Sequence, residues 1–298
     1  MPQQTPIIKK IAIGLVVFVL LVVLSLVVYR FWPDGQTVRE NDAFAKPDLL
    51  HAPEGMVWVE GGQFEMGTDD ATANPEEQPA HPVRVDGFWM MDHEITNKEF
   101  AAYLDSTHNA DGYKDSMSVR ATQLANFPVV NLSWNDALNY CAWAGLRLPT
   151  EAEWEFAVKG QQHNQTLASP QWLGNFSTGK IAAVKSYAPN AYQLYDLPGN
   201  VWEWCGDFYD AAFHKKYGTE ILQSNIYGAD NSVDSSNTAP VFRVIKGGSF
   251  LSAPNEAVVK RSTARRSANA DSGYTDVGFR PVMTTSMWEV KKRLHAAQ

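Results

Sequence analysis

The sequence predicts an α+β domain with little regular secondary structure, preceded by one transmembrane helix. Three observations lead there. Short stretches of apolar alternation and two clearly capped helical segments are interspersed with far more loop than usual. Ten tryptophans in 298 residues supply large anchors of the kind that long ordered loops need. One run, Ile11 to Tyr29, is apolar on every face, which no surface helix of a globular domain is. No internal repeat at a solenoid period is visible.

The apolar run IAIGLVVFVLLVVLSLVVY is uncharged and long enough as a helix to cross the hydrocarbon layer. Lys9 and Lys10 precede it and only Arg30 follows closely, so the positive-inside rule leaves residues 1–10 in the cytoplasm. Tyr29, Phe31 and Trp32 form an aromatic belt at the outer interface. The run exceeds a normal signal-peptide core and ends in Tyr-Arg-Phe-Trp-Pro, without a small-x-small cleavage site. Residues 11–29 are therefore expected to remain as an anchor. Residues 30–54 lack hydrophobic periodicity, carry three prolines and read as a tether. In a Gram-negative cell this places the chain in the inner membrane with its domain, residues 55–284, in the periplasm; residues 285–298 read as a tail. The formal net charge of −8 excludes a phosphate backbone as the natural partner.

Within the domain, Met56 to Gly67 reads as strand, turn and strand around Gly61-Gly62. HPVRVDGFWMMDHEIT continues as strand, with Val83 and Val85 on one face. NKEFAAYLDST is a helix capped by Thr96 or Asn97, its stripe formed by Phe100, Tyr103 and Leu104. Val129 to Leu132 reads as a short strand. Asn135 is expected to cap a helix with Leu138, Cys141 and Ala142 on its inner face, ended by Gly145. Thr150 and Glu153 make a capping box for the next helix, which Gly160 closes. Further strands are expected at Ala182–Tyr187, Val241–Gly247 and Gly278–Val282, and a polar excursion over Lys215–Pro240.

Candidate chemistry is sparse. The seven histidines (His51, His81, His93, His108, His163, His214, His295) show no metal-ligand spacing, and no phosphate loop or dinucleotide fingerprint appears. Cys141 and Cys205 would be able to pair in an oxidising compartment, but each sits in an aromatic-rich segment where cysteine behaves as a small buried hydrophobe. Ser252 as a nucleophile needs a positioned base, and Glu256 is the one local candidate.

Four segments, GGQFEMG, SWNDALNYCAWAGLRLPTEAEWEFAVKG, NAYQLYDLPGNVWEW and RVIKGGSF…ARRS…DVGFRPV, follow one another in an order that resembles the formylglycine-generating enzyme (sulfatase-modifying factor) family. The resemblance runs from about Gly55 to Met283. It implies a single domain related to the C-type-lectin fold, with bound calcium. In the active enzymes a cysteine pair holds copper and oxidises a sulfatase cysteine. The first position of that pair falls on Ser252 here, and the second on Ala257, or on Val258 if the loop is one residue longer. Serine is a hard ligand and alanine or valine offers none, so no copper is expected.

The rest of the family cleft maps onto Trp202, Ser249, Arg266 and Asp276. Arg266 and Arg261 would suit a carboxylate or backbone carbonyl of a ligand. Alternatively, Arg147, Arg265, Arg266 and Arg280 are buried in ion pairs with Glu151, Glu153, Glu203 or Asp276. The resemblance also implies a calcium site from the Asp196 and Glu203 side chains with the Gly199 and Val201 carbonyls. The competing reading has Asp196 fixing the turn and Glu203 paired with an arginine. The family's second calcium site begins at Asn175, where the following loop, STGKIAAVKS, has no carboxylate. These features imply a membrane-anchored pseudoenzyme that binds a peptide, protein or small molecule in its cleft. The alternative is a cysteine-independent maturation enzyme on the same scaffold, as in siderophore maturation. True formylglycine generation conflicts with Ser252 and Ala257.

Overall fold

The chain divides into two units, Met1–Ala43 and Phe44–Gln298. The computed structural model describes residues 47, 49–107, 122–159, 174–217, 222–223, 240–253, 256 and 261–296. The expected anchor at 11–29 and Ala257 lie outside the described residues. Among the described residues no helix is long and apolar enough to cross a membrane.

Among the described residues ten short strands form three small sheets, a mixed α/β fold rich in loop. β1 (Met56–Val59), β4 (Phe88–Met91) and β10 (Val282–Thr284) make one antiparallel sheet in the order β1-β4-β10. β2 (Gly62–Met66) and β3 (His81–Val85) pair antiparallel, and β6 (Leu222–Gln223) adds to β3 in parallel. The third sheet runs β8 (Arg265–Asn269), β7 (Phe242–Lys246), β5 (Trp202–Phe208), β9 (Val277–Gly278). In β3 the alternation read from sequence holds: His81, Val83 and Val85 are buried and the residues between them are only half-buried.

The helices are α1 (Asn97–Thr107), α2 (Trp134–Ala144), α3 (Glu151–Lys159), α4 (Phe213–Tyr217) and α5 (Thr285–Ala296). Thr96 caps α1 through a reciprocal pair with Glu99: each backbone N–H donates to the other's side-chain oxygen, at 2.8 and 3.3 Å. α3 begins on the expected box between Thr150 and Glu153. α2 corrects the sequence reading. Its cap is Ser133, boxed with Asp136, and Asn135 is exposed. The inner face is accordingly Trp134, Ala137, Tyr140 and Cys141, while Leu138 and Ala142 face solvent.

Two expected strands are absent as ladders. Residues 129–132 bend at Asn131 and residues 182–187 turn at Lys185, both left-handed at φ 65° and 62°, and each segment is held by single bonds such as Val129 N–H to Ile95 O (2.8 Å) and Val184 N–H to Asn126 O (2.8 Å). Residues 285–296, expected as tail, form α5, whose Trp288 indole donates to His51 O at 2.9 Å. Of the expected excursion over 215–240, the end of α4, β6 and Pro240 are described.

Two apolar clusters carry the core. Cys141, with Trp202 and Trp204, belongs to one; Cys205, with Trp154 and Phe156, belongs to the other. Between helix α3 and strands β7 and β8 lies a buried charge network. Lys246, fully buried, donates to Glu155 at 3.0 Å and to Glu151 at 3.5 Å, and Arg265 forks onto Glu151 at 2.8 and 2.7 Å. Burial works against the Lys246 charge, but the two carboxylates outweigh it and raise its pKa. The network fixes the end of β7, from which the Gly247-Gly248-Ser249 loop departs.

Candidate functional site

Gly247 and Gly248 both adopt left-handed backbone, at φ 100° and 77°. The turn they make leads directly into Ser249. A Cβ on Gly247 would stand 3.0 Å from the Trp154 ring. Ser249, fully buried, donates its hydroxyl to Asp276 Oδ2 at 2.8 Å, and its backbone N–H donates to Ser252 Oγ at 3.0 Å. Trp202 N–H donates to the Asp276 carbonyl at 2.9 Å. The structure thus knits Ser249, Ser252, Asp276 and Trp202 into one network.

Beside this network is a cavity of about 310 Å³ lined by Asn74, Glu76, Trp202, Glu256, Ala264, Arg265 and Arg266. Arg266 is exposed, with its guanidinium 5.8 Å from the Trp202 ring centre. It has no ion-pair partner among the described residues, whereas Arg147 pairs with Glu153, Arg265 with Glu151 and Arg280 with Glu203. Arg261, also expected to be available to a ligand, is instead forked onto buried Glu77 at 3.0 and 2.9 Å. Of the expected cleft residues, Trp202 and Arg266 line the cavity, while Ser249, Ser252 and Asp276 do not. Glu256 is no base for Ser252: its carboxylate accepts from Ala253 N–H at 3.0 Å. Sequence reading missed Asn74 and Glu76, which come from a single turn at Pro75–Glu77. Their sequence signal was the Asn74/Glu77 capping-box spacing.

The tight turn at Asp196–Glu203 is the second element. Asp196 and Asn200 have left-handed φ of 56° and 60°, and Gly199 has 112°. Asp196 Oδ1 accepts from Tyr187 N–H at 3.1 Å and Oδ2 from Lys185 N–H. Glu203 accepts from the Trp154 indole at 2.8 Å and from Arg280 Nε and Nη2 at 3.1 and 2.9 Å. Glu94, which sequence reasoning did not single out, reaches the same turn. Its Oε1 accepts from Asn200 Nδ2 at 3.1 Å, while Oε2 is buried without a hydrogen-bond partner, 3.8 Å from Arg280 Nη2. Burial, reinforced by Asp196 and Glu203 against the pull of Arg280, pushes the Glu94 carboxyl up to about 8. Burial also raises Asp196.

Does this turn fit a calcium ion? No group of three His, Cys, Asp or Glu side chains makes a ready cage among the described residues, so backbone carbonyls have to complete any site, as calcium accepts. The donor set fits: three buried carboxyl groups stand around one guanidinium, and one carboxyl oxygen is orphaned. Asn175 does not fit. Its amide donates to Lys180 O and Asn200 Oδ1, at 2.9 and 3.0 Å, and its oxygen accepts from the Thr178 hydroxyl.

Comparison with known proteins accords with this geometry. The FGE-sulfatase family model, described as a sulfatase-modifying factor enzyme 1-like domain, matches residues 42–285. A formylglycine-generating enzyme of Thermomonospora curvata is 34% identical over 76% of the chain and 92% of that enzyme. The inactive C-alpha-formylglycine-generating enzyme 2 of Bos taurus is 29% identical over 76% of the chain and 86% of its own length. Among solved structures, PvdO from Pseudomonas aeruginosa superposes with a TM-score of 0.60 at 24% identity, covering 77% of this chain and 94% of PvdO. That last likeness concerns the fold.

Proposed function

The chain belongs to the family of sulfatase-modifying factor enzyme 1-like domains, and from that premise we propose that it is a binding member, holding a polypeptide segment or other ligand in the Trp202–Arg266 cleft without turning it over. The placement of sulfur carries this reading. The only two cysteines, Cys141 and Cys205, are unpaired, buried and in separate apolar clusters. Burial raises both thiols far above their usual range. Cuprous ion held by two thiolates needs two ionised sulfurs at one place. At the first family position Ser252 offers a hydroxyl that already accepts from Ser249. The cleft keeps its recognition groups, an exposed guanidinium over an indole with Glu76 and Glu256 on the rim.

In this reading Ile11–Tyr29 anchors the chain with its N-terminus in the cytoplasm, and the lectin-related domain works outside. Calcium fits the Asp196 and Glu203 carboxylates with the Gly199 and Val201 carbonyls; when bound it supplies positive charge, not redox chemistry. Asp196 and Glu203 keep their turn tied to Lys185, Tyr187, Trp154 and Arg280, which orients Trp202 at the cleft.

The test uses the full chain in detergent with a labelled Cys-x-Pro-x-Arg peptide, air and copper. Saturable binding with no aldehyde by mass spectrometry is expected. Arg266→Ala, which breaks no ion pair among the described residues, should weaken binding by about 1–2 kcal/mol and leave the melting temperature nearly in place. A stoichiometric aldehyde overturns the proposal. Modification of the peptide without copper would move the chain to the maturation-enzyme alternative.

A further inference from the structure

We infer that Glu94 is the charge-balancing acid of the Asp196–Glu203 turn, and that it gives the turn its preference for a divalent cation. The inference rests on the calcium reading above and adds a residue which the turn motif does not contain. Glu94 comes from the segment between β4 and α1, more than a hundred positions away in sequence from Asp196, and yet meets the turn directly through Asn200. Asn200 stands between Gly199 and Val201, the two residues whose carbonyls the calcium reading uses.

Charge is the reason for assigning it a role. Glu94, Asp196 and Glu203 are at most 2% exposed, and Arg280 is fully buried. Burying an ionised carboxylate without a counter-charge costs several kcal/mol per ion. Arg280 is one positive charge against three when all the carboxyls are ionised, and its Nη2 spends its short contacts on Glu203 Oε1 and the Tyr195 carbonyl, at 2.9 and 2.8 Å. Glu94 Oε2 is left at 3.8 Å from it with no hydrogen bond at all. A divalent cation brings this cluster to neutrality; a monovalent one leaves it negative. With Glu94 neutral, the same divalent ion would leave the cluster positive. The role is electrostatic and positional: Oε1 holds Asn200, and so the carbonyls on either side of it, while Oε2 supplies the field.

The test is calcium titration of the full chain in detergent by calorimetry, with thermal melts in EDTA and in calcium. Glutamine keeps an oxygen for Asn200 and removes the charge. Glu94→Gln is expected to bind calcium about 10–100-fold more weakly than the wild type, the range for groups supporting a metal's ligands. It should melt close to the wild type in EDTA, since glutamine matches the neutral carboxyl in shape, and below it in calcium. Glu94→Asp, which keeps the charge, should retain most of the affinity. Equal affinities for the wild type and Glu94→Gln overturn the assignment while leaving the calcium site standing. A Glu94→Gln chain that melts well below the wild type, or fails to fold, in EDTA overturns it too, because the carboxylate would then be a stabilising partner. A wild type that takes up no calcium removes the site and this inference with it.

Discussion

Acid should loosen this domain through two buried histidines, and one substitution should abolish most of the effect. His81 on β3 and His214 on α4 are at most 1% exposed, and their Nδ1 atoms lie 3.3 Å apart. One ring must donate this hydrogen bond and the other accept it, so at least one ring must be neutral. Neither Nε2 has a hydrogen-bond partner. Around them stand Glu65, Glu151 and Glu155, which favour protonation, and Arg265, which opposes it. Burial outweighs the carboxylates: it lowers both imidazoles, His214 to about 4. A histidine lowered in the folded state binds its proton more readily when unfolded. Its contribution is therefore complete above about pH 6.5 and is lost as pH falls towards 4. For His214 alone the loss is about 2 kcal/mol at pH 5 and approaches about 3 kcal/mol near pH 4.

The assay is thermal unfolding of the full chain at pH 7.5 and pH 5.0, read by tryptophan fluorescence. For a domain of this size about 2 kcal/mol corresponds to a drop of roughly 4–8 °C. His214→Leu removes the proton acceptor, so its drop between the two pH values should be smaller by that amount. Comparing variant with wild type cancels carboxylates that titrate in the same range. α4 packs on the Pro75–Glu77 turn, which carries Glu76 at the cavity wall. Ligand binding should therefore weaken over the same interval. An equal acid shift in wild type and His214→Leu would refute the reasoning.

Two further outcomes test the scaffold. Lys246→Met strands Glu151 and Glu155 without their buried ammonium and should cost about 3–5 kcal/mol by denaturant unfolding; a loss under about 1 kcal/mol would mean that Arg265 and Lys159 suffice. Gly199→Ala forces a side chain onto φ 112° with its Cβ 2.8 Å from the Asn175 backbone nitrogen, and should cost about 2–3 kcal/mol. Gly179→Ala, at φ 68° with nothing within 4 Å, should cost only about 1 kcal/mol, and equal losses at the two sites would show that steric contact plays no part.

What could be read from sequence was what is local. The Thr150/Glu153 box is visible because three residues separate two partners whose bonds are reciprocal. The same spacing at Ser133/Asp136 was passed over in favour of Asn135, and that error rotated the expected inner face of α2. β5 shows no alternation because all but its last residue are buried, so its period of two is invisible. Residues 129–132 and 182–187 have strand-like composition but bond singly to loops, which depends on what lies across from them. The turn motif pointed to Asp196 and Glu203. Glu94 had no such marker, since nothing in its neighbours reveals that the chain brings it to Asn200. The pairing of Arg261 with Glu77, 184 positions apart, is equally beyond local reading.

The described supports of the cleft loop contain no sulfur. The Gly247-Gly248-Ser249 loop leaves β7 immediately after Lys246, and Lys246 is fixed by Glu151 and Glu155 on α3 and by the Thr263 carbonyl at 3.0 Å. On its far side the loop is tied to the turn: Gly199 N–H donates to Gly247 O at 3.0 Å and Phe250 N–H to Asn200 O at 2.9 Å. The loop is therefore suspended between a buried ion-pair network and the Asp196–Glu203 turn, and neither uses a cysteine. On the proposed reading, the absence of thiols at Ser252 and Ala257 leaves both supports intact. A change at Lys246 or at the turn would do the reverse. It would move Ser249 relative to Asp276 and Trp202 relative to Arg266, and so weaken the proposed binding.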